Sequence, residues 1–447
     1  MTGATSAADR GKAAGSRWVV AAVIAVGALH AVQLFSPLRL NHDAVRLLAM
    51  AWSAHTTGSY APGGMVEQFP VGYPAMVRAL LSLGLGHTMW LNALNLAWLA
   101  VAAGSVYWIA RRMLRLPADR SWLAALAPLL SWVTVKHVAI PLSDVPFLGL
   151  AMLALAFGQR FWLQQEFTDW PAGLAALLAA IASVSVRTVG LAVVGTVLLA
   201  AVLHPRCRRL IAAGSLDRRR MSQLVAPAGI IAVVGAVLLI RSEWFVLQFT
   251  APSSYFHQLF VHRGLGPETT IAGTVGERLV ETVAIAGNVP FPAGYPGIQW
   301  LLGGTVLAVV ARSLWVGRRQ QLPLLLFAAL SLLILLVWPY ADPRFLLPLI
   351  PVAALSLLTT VPAWVAANHR WRRLAQAYAA AYALLGVAAL VYSIRLTVAG
   401  REMANDYSYG TYRLTYQHAF GLAPTATADA VDSNLLVTLR RFEPLAR

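Results

Sequence analysis

Apolar segments of about twenty residues recur along most of the chain, and each ends at charged or turn-forming residues. A helix that crosses a lipid bilayer needs roughly 20 apolar residues. Only 12% of the 447 residues are charged, against about 25% in soluble domains. The pattern therefore predicts an all-α polytopic membrane protein and excludes an ordinary soluble globular domain.

Reading these segments one by one predicts about eleven transmembrane helices. The predicted spans are residues 18–35, 91–110, 122–138, 145–162, 171–186, 189–203, 225–240, 300–315, 322–338, 345–366 and 375–394.

Two long apolar blocks contain charged residues, and we interpret each block as a helical hairpin. The first runs over residues 122–162 and contains Lys136 and Asp144; the second runs over residues 171–203 and contains Arg187. One continuous helix of the second length would exceed a hydrocarbon core of roughly 30 Å. It would also leave Arg187 near the middle of the membrane, at a cost of about 2.5 kcal/mol or more.

The formal net charge of +17 comes mainly from arginines in short loops between spans. Basic loops favour the cytoplasmic side of a membrane. This rule predicts a multi-pass protein of the plasma (inner) membrane, with a cytoplasmic N-terminus and an extracytoplasmic C-terminus. It also accounts for the basic composition without a nucleic-acid partner. The single cysteine, Cys207, excludes a disulfide within the chain.

The same threading divides the chain into a transmembrane domain and a tail. Residues 1–396 form the predicted domain, with outer loops at about 36–89 and 241–298, and residues 397–447 form a short extracytoplasmic tail. Residues 255–260 and 275–285 are typical of interfacial amphipathic helices, and residues 433–439 are compatible with a short strand.

The few acidic residues at span edges point to a reaction site. Asp43, Asp144 and Asp342 all reach the same outer face when the spans are threaded alternately. Asp43 precedes a helical stretch at residues 45–55, so it is either the N-cap of that helix or a general base. The two roles are compatible, because a helix start is a fixed platform.

Cationic side chains are predicted on the same rim. Lys136, His137, Arg187 and Arg344 could meet a phosphate, for which arginine offers a planar fork of donors. The competing interpretation is a side chain that lies along lipid with its head in water, and it is favoured for Arg46 and Arg78. Asp342 could instead pair with Arg344 or cap the following helix, and His42 and His137 could be structural hydrogen-bonding groups.

Cofactor signals are weak. No acidic pair has the tight spacing of a metal site, so we expect no cofactor, although a divalent metal is possible. Aromatic residues such as Tyr60 and Tyr73 could stack on a sugar or an isoprenoid, or belong to an interfacial aromatic belt.

Several short motifs resemble one family when they are taken in order. They are Asp43 after the first span, Gly58-Ser59-Tyr60, Pro70-Val71-Gly72-Tyr73-Pro74, Ser143-Asp144-Val145-Pro146-Phe147, Arg187-Thr188-Val189-Gly190-Leu191 and Arg344-Phe345-Leu346-Leu347-Pro348. This order is similar to that of the GT-C glycosyltransferases, polytopic enzymes that use lipid-linked sugars. The nearest similarity is to the protein O-mannosyltransferase and aminoarabinose-transferase branch.

The resemblance implies a GT-C fold and an inverting glycosyltransferase. Such an enzyme moves a sugar from a polyprenyl-phosphate donor to a hydroxyl of a cell-envelope glycan, lipid or protein. Besides donor and acceptor, membrane lipids are the expected partners. The alternative is a polytopic transporter or lipid flippase, which needs polar residues near the bilayer midplane.

The resemblance also implies roles for individual residues. Asp43 is the expected catalytic base, and Glu67 or Asp144 is the candidate second acid, because His42 stands where many relatives carry an acid. The residues expected to bind the donor phosphate are Lys136, His137, Arg187 and Arg344, and those expected to contact substrate are His42, Tyr60, Tyr73 and Asp342.

Overall fold

The computed structural model describes residues 7–64, 67, 69–164, 169–205, 271–289, 295–338, 342–399 and 441–442. In this part of the chain every regular element is helical. The α-helices are α1 (Ala7–Val32), α2 (His42–Thr57), α3 (Gly72–Ser82), α4 (Thr88–Trp108), α5 (Ala118–Leu129), α6 (Trp132–Val138), α7 (Asp144–Leu163), α8 (Trp170–Val186), α9 (Gly190–Leu203), α10 (Ile271–Asn288), α11 (Pro296–Val316), α12 (Leu322–Val337), α13 (Leu349–Ala367) and α14 (His369–Val398).

Five helical segments of the described chain are long and apolar enough to cross a membrane, which fits the predicted all-α polytopic membrane protein. They are Arg17–Phe35, Thr88–Met113, Asp144–Leu163, Pro296–Val316 and His369–Val398. Four shorter helices, α8, α9, α12 and α13, are also apolar. The predicted span 225–240, the predicted helix 255–260 and the predicted strand 433–439 lie outside the described residues.

Both predicted hairpins are confirmed. In the first block helix α6 ends at Val138 and α7 begins at Asp144; in the second, α8 ends at Val186 and α9 begins at Gly190. Between α8 and α9, Arg187 adopts an extended backbone with φ −149° and ψ 139°. Each block therefore turns at its charged residue.

The predicted span 122–138 was wrong as a single helix. It is divided into α5, which ends at Leu129, and α6, which begins at Trp132. Pro128 lies in the last turn of α5, and proline removes a backbone donor and crowds the preceding turn. The helix therefore stops soon after Pro128.

Helix α7 lies at the centre of the fold. It packs against α4 and α8 along much of its length and also contacts α9 and α12. A Cβ atom added at Gly149 would lie 2.6 Å from the Trp98 ring, so glycine permits the close approach of α4 and α7. Because Asp144 is the first residue of this well-packed helix, the packing fixes the position of its carboxylate.

The connection between α1 and α4 is itself helical. Within it α2 and α3 pack against each other, and α3 contacts α8. A Cβ atom at Gly72, the first residue of α3, would lie 2.5 Å from the carbonyl oxygen of Ser185. Glycine is therefore required for α3 to rest on the end of α8, immediately before Arg187.

A buried polar network fixes the chain between α1 and α2. The guanidinium of Arg39, which is 0% exposed, donates to the Ser393 hydroxyl at 3.0 Å and to the Thr397 hydroxyl at 3.1 Å. The Ser36 and Thr397 hydroxyls bond at 2.6 Å. The network anchors the start of the segment that leads to α2 on the last turns of α14.

Residues near the end of the chain also pack on this region. Phe442 is fully buried, and its carbonyl accepts a hydrogen bond from the Thr88 hydroxyl at 2.9 Å. Arg441 lies 4.4 Å from the centroid of the Trp52 ring on α2. At least this part of the predicted tail therefore packs against the helices.

Candidate active site

Asp43 lies in the first turn of α2, but it is not the cap of that helix. The N-cap is Asn41, whose side-chain oxygen accepts a hydrogen bond from the Ala44 amide at 2.8 Å. The interpretation of Asp43 as N-cap was therefore wrong, because Asn41 already satisfies the free amide of the first turn. The Asp43 carboxylate instead accepts a hydrogen bond from Arg344 Nη2 at 2.7 Å.

Arg344 is held by a short 3-10 helix, Pro343–Leu346, just after α12. Asp342 caps this helix by accepting the Arg344 amide at 2.9 Å, and its carboxylate also lies 3.4 Å from Arg344 Nε. Both alternatives considered for Asp342, a cap and a partner of Arg344, are thus realised at once.

The charge of Arg344 is secured by the acids around it. Burial alone would lower the pKa of the guanidinium, but the negative charges of Asp144, Asp43 and Asp342 outweigh burial and raise the pKa. Arg344 is therefore a permanent cation beside Asp43.

A second ion pair joins two other segments. Arg187, between α8 and α9, donates from Nη1 to the Asp144 carboxylate at the start of α7. The Asp144 side chain is 2% exposed and that of Arg187 is 17% exposed. This pair is much drier than the pair of Asp43 with Arg344, whose side chains are 25% and 16% exposed.

The two ion pairs face one cavity of about 320 Å³. Its polar wall contains Asp43, Arg46, Asp144, Arg187 and Arg344. Its other lining residues are Leu47, Phe69, Pro70, Leu142, Ser143, Phe147, Val186, Thr188, Val189, Ile334, Leu335, Trp338, Phe345 and Pro348. The cavity thus combines charged groups at one place with an extensive apolar wall, as an amphipathic ligand requires.

Glu67 is placed beside the cavity and not in its described lining. Its carboxylate pairs with Arg46 Nη1 at 3.5 Å, and Arg46 lines the cavity. Glu67 is therefore connected to the site through Arg46.

Lys136 and His137 lie on α6, which contacts the 3-10 helix that contains Arg344. Neither is among the described lining residues. A ring nitrogen of His137 hydrogen-bonds to the Val133 carbonyl at 2.7 Å, which is the structural role considered from the sequence. His137 still lies within electrostatic reach of Asp144, Asp342 and Arg344.

The other residues predicted to contact substrate have different surroundings. The ring centroid of Tyr60 lies 6.0 Å from Cζ of Arg78, and Tyr60 is not among the described lining residues of the cavity. Tyr73 is fully buried, and its hydroxyl has no hydrogen-bond partner among the described residues. The side chain of His42 lies outside the described residues, although its backbone begins α2.

Arg46 and Phe345 are two cavity residues that sequence reasoning did not place in the site. Arg46 was interpreted as a lipid-facing side chain, yet it lies three residues after Asp43 on the same helix, a spacing that places both on one face. Phe345 follows Arg344, and its ring lies under two of the three cavity guanidiniums, 5.5 Å from that of Arg187 and 5.3 Å from that of Arg344. No signal in the sequence predicts the first of these two contacts.

Groups of three or more histidine, cysteine or acidic side chains that could hold a metal ion do not occur in the described part of the chain. The described cavity lining offers two carboxylates, each paired with a guanidinium, and a third guanidinium from Arg46.

The fold is similar to that of two solved structures of ArnT, which agrees with the GT-C fold that the ordered motifs predicted. In particular, the chain is similar to the crystal structure of ArnT from Cupriavidus metallidurans bound to undecaprenyl phosphate. The TM-score is 0.57, the identity is 15%, and the match covers 96% of this chain and 85% of ArnT. The apo state of ArnT matches with a TM-score of 0.57 and 14% identity, covering 96% of this chain and 86% of that one.

A further match is the Archaeoglobus fulgidus oligosaccharyltransferase in complex with Zn and sulfate. Its TM-score is 0.45 and its identity is 14%, with 93% of this chain and 57% of that one covered. No family model matches the sequence, and no curated protein matches it.

Proposed function

We propose that this chain is an inverting glycosyltransferase that moves a sugar from a polyprenyl-phosphate donor to an acceptor hydroxyl of the cell envelope. The reaction takes place at the extracytoplasmic membrane face. One observation carries the proposal: Asp43, Asp144, Arg187 and Arg344, from four separate segments, meet at a single cavity.

Asp43 is the proposed general base. Its side chain is 25% exposed, whereas that of Asp144 is 2% exposed, so an acceptor hydroxyl can reach Asp43 more readily. Asp43 takes the proton as the acceptor oxygen attacks the anomeric carbon. The bond between that carbon and the phosphate oxygen breaks, and polyprenyl phosphate leaves with the electron pair.

Asp144 is the proposed second acid, with a supporting role. In a retaining glycosidase a second carboxylate attacks the sugar and forms a covalent intermediate. Here the carboxylate of Asp144 is buried and bonded to Arg187, which disfavours such an attack. We propose that it orients the Arg187 guanidinium, while Glu67 does the same for Arg46 from the edge of the cavity.

Arg187 and Arg344 are the proposed ligands of the leaving phosphate. Guanidinium groups bind phosphate oxygens through two parallel hydrogen bonds. Arg46 adds a third cation, so the described cavity lining contains three arginines and two carboxylates. The guanidinium donors that face this cavity favour an anion and stabilise the charge that develops on the departing phosphate.

The nature of the donor is supported by a similar structure. ArnT from Cupriavidus metallidurans was crystallised with undecaprenyl phosphate, so a fold of this kind accommodates a polyprenyl phosphate. The apolar part of the cavity here, which includes Phe147, Ile334 and Trp338, suits the first isoprene units.

The test is a donor assay in which the acceptor need not be identified. The purified protein in lipid nanodiscs is given undecaprenyl phosphate carrying labelled mannose, glucose, arabinofuranose or aminoarabinose, together with cell-envelope extract. We expect one donor to be consumed, with release of undecaprenyl phosphate and inversion at the anomeric carbon of the product.

The alternative of a transporter or flippase gives a different result in proteoliposomes. Labelled donor would then change leaflet with its sugar–phosphate bond intact. Movement without bond cleavage, for every donor and in the presence of acceptor extract, would contradict the proposed glycosyltransferase.

A further inference from the structure

Two arginines of the cavity share one aromatic ring. The ring centroid of Phe345 lies 5.5 Å from Cζ of Arg187 and 5.3 Å from Cζ of Arg344. Both distances fall within the roughly 6 Å over which an aromatic face attracts a cation. The guanidinium carbons are therefore no further apart than the sum of these two distances.

The ring of Phe345 is itself held in place. It follows Arg344 in the 3-10 helix that Asp342 caps, and it meets the Trp338 ring edge to face, with centroids 6.2 Å apart and planes at 71°. Trp338 and Phe345 both line the cavity. Phe345 is thus a braced aromatic surface inside the proposed site.

The two guanidiniums carry like charges and repel each other, most strongly where water is excluded. Without donor, each cation is compensated by a carboxylate, Arg187 by Asp144 and Arg344 by Asp43. A guanidinium has five N–H donors, so each cation can keep its carboxylate and its place over the ring while its other donors bind one phosphate.

We propose that Phe345 is a positioning residue whose ring holds the guanidiniums of Arg187 and Arg344 in the orientation in which both bind the leaving phosphate. This inference rests on the proposed function and adds to it the residue that sets the geometry of the phosphate site. Phe345 acts through the two arginines and does not itself take part in the chemistry.

The sharpest test replaces Phe345 by a trifluorinated phenylalanine, which keeps the shape of the ring and removes most of the negative potential of its face. Phe345→Leu removes the ring, and Phe345→Tyr restores it. Binding of undecaprenyl phosphate and the KM for the sugar donor are measured for each protein in nanodiscs.

We expect the fluorinated and leucine variants to bind undecaprenyl phosphate about tenfold more weakly, with a matching rise in KM. Phe345→Tyr should stay within about threefold of the wild type in both measurements. The control is Trp315→Leu, which lies just before α12, whereas Phe345 follows that helix. This variant removes the contact in which Cζ of Arg318 lies 4.6 Å from the centroid of the Trp315 ring. It should not change undecaprenyl phosphate binding.

Two failures can be told apart. If the wild type transfers sugar but the fluorinated variant binds undecaprenyl phosphate as tightly as the wild type, the positioning role is wrong and the proposed function stands. If the wild type neither binds undecaprenyl phosphate nor cleaves any donor, the proposed function and this inference both fail. The fluorinated variant preserves packing, so misfolding of Phe345→Leu would not obscure the result.

Discussion

The carboxylate of Asp43 lies 2.7 Å from Arg344 Nη2, although the two residues belong to segments far apart in the sequence. The contact joins the first turn of α2 to the 3-10 helix after α12. Because Asn41 caps α2 and Asp342 caps the 3-10 helix, both partners are held by backbone structure before they meet. A proposed base is thereby fixed beside a permanent cation.

The buried pair of Asp144 with Arg187 should be sensitive to loss of either partner. Arg187→Gln leaves a buried carboxylate without its cation, and we expect the free energy of unfolding to fall by about 3–5 kcal/mol. In the double variant Asp144→Asn/Arg187→Gln the loss should be smaller than the sum of the single losses, because neither charge remains. Unfolding of the protein in bicelles by added SDS measures these differences.

A matched control for this experiment lies on the surface. Arg160 pairs with Asp169 at 2.5 Å, and its side chain is 44% exposed. Because solvent reaches the Arg160 side of this pair and screens it, Arg160→Gln should lower the free energy of unfolding by no more than about 1 kcal/mol. Equal losses for the two single arginine variants would contradict the view that Arg187 neutralises a dry carboxylate.

The turning points of the chain could be predicted from the sequence because buried charge is costly in lipid. Arg187 and Asp144 each interrupt a long apolar block, and the helices end where the charges fall. The break between α5 and α6 was missed, since the spans were delimited by hydropathy and Pro128 was not given weight.

Gly72 should not tolerate a side chain. A Cβ atom there would lie 2.5 Å from the Ser185 carbonyl oxygen, so Gly72→Ala must push α3 away from α8. We expect a loss of about 1–3 kcal/mol in the free energy of unfolding, together with reduced sugar transfer.

Gly104 provides the comparison for Gly72. It lies inside α4 with no atom within 4 Å of an added Cβ, so Gly104→Ala should be neutral or stabilise by up to about 1 kcal/mol through helix propensity. If both alanine variants behave alike, close contact between α3 and α8 is not what requires Gly72.

Tyr73 was predicted to contact substrate, but it is not among the described lining residues of the cavity, and this prediction can be tested. Its hydroxyl is buried without a described partner, and burial together with the charge of Asp144 raises the pKa of this phenol. Tyr73→Phe removes an unsatisfied group, so we expect unchanged stability or a gain of about 1 kcal/mol.

The same variant reports on catalysis. Because the phenol stays protonated throughout the working pH range, the pH profile of transfer by Tyr73→Phe should match that of the wild type. Transfer should remain within about threefold. A large loss in the rate of transfer, with stability retained, would instead support the predicted contact of Tyr73 with substrate.

The components of the candidate site were more predictable than their pairing. Acids and cations at span edges identified Asp43, Asp144, Arg187 and Arg344, because few charges are tolerated in so apolar a chain. Which acid meets which cation depends on how α2, α7 and the 3-10 helix pack, and local sequence does not encode that arrangement. The Arg39 network was missed for the same reason, since its partners Ser393 and Thr397 lie on α14.

The most direct test of the central claim is Asp43→Asn, with donor cleavage and undecaprenyl phosphate binding measured on the same protein. Loss of the base should lower the transfer rate by about 10²–10⁴-fold. Binding of undecaprenyl phosphate should be unchanged or tighter, because Arg344 loses a competing carboxylate. Asp169→Asn, at the pair with Arg160 outside the described cavity lining, should leave both measurements unchanged. Full transfer by Asp43→Asn would contradict the assignment of this cavity as the active site.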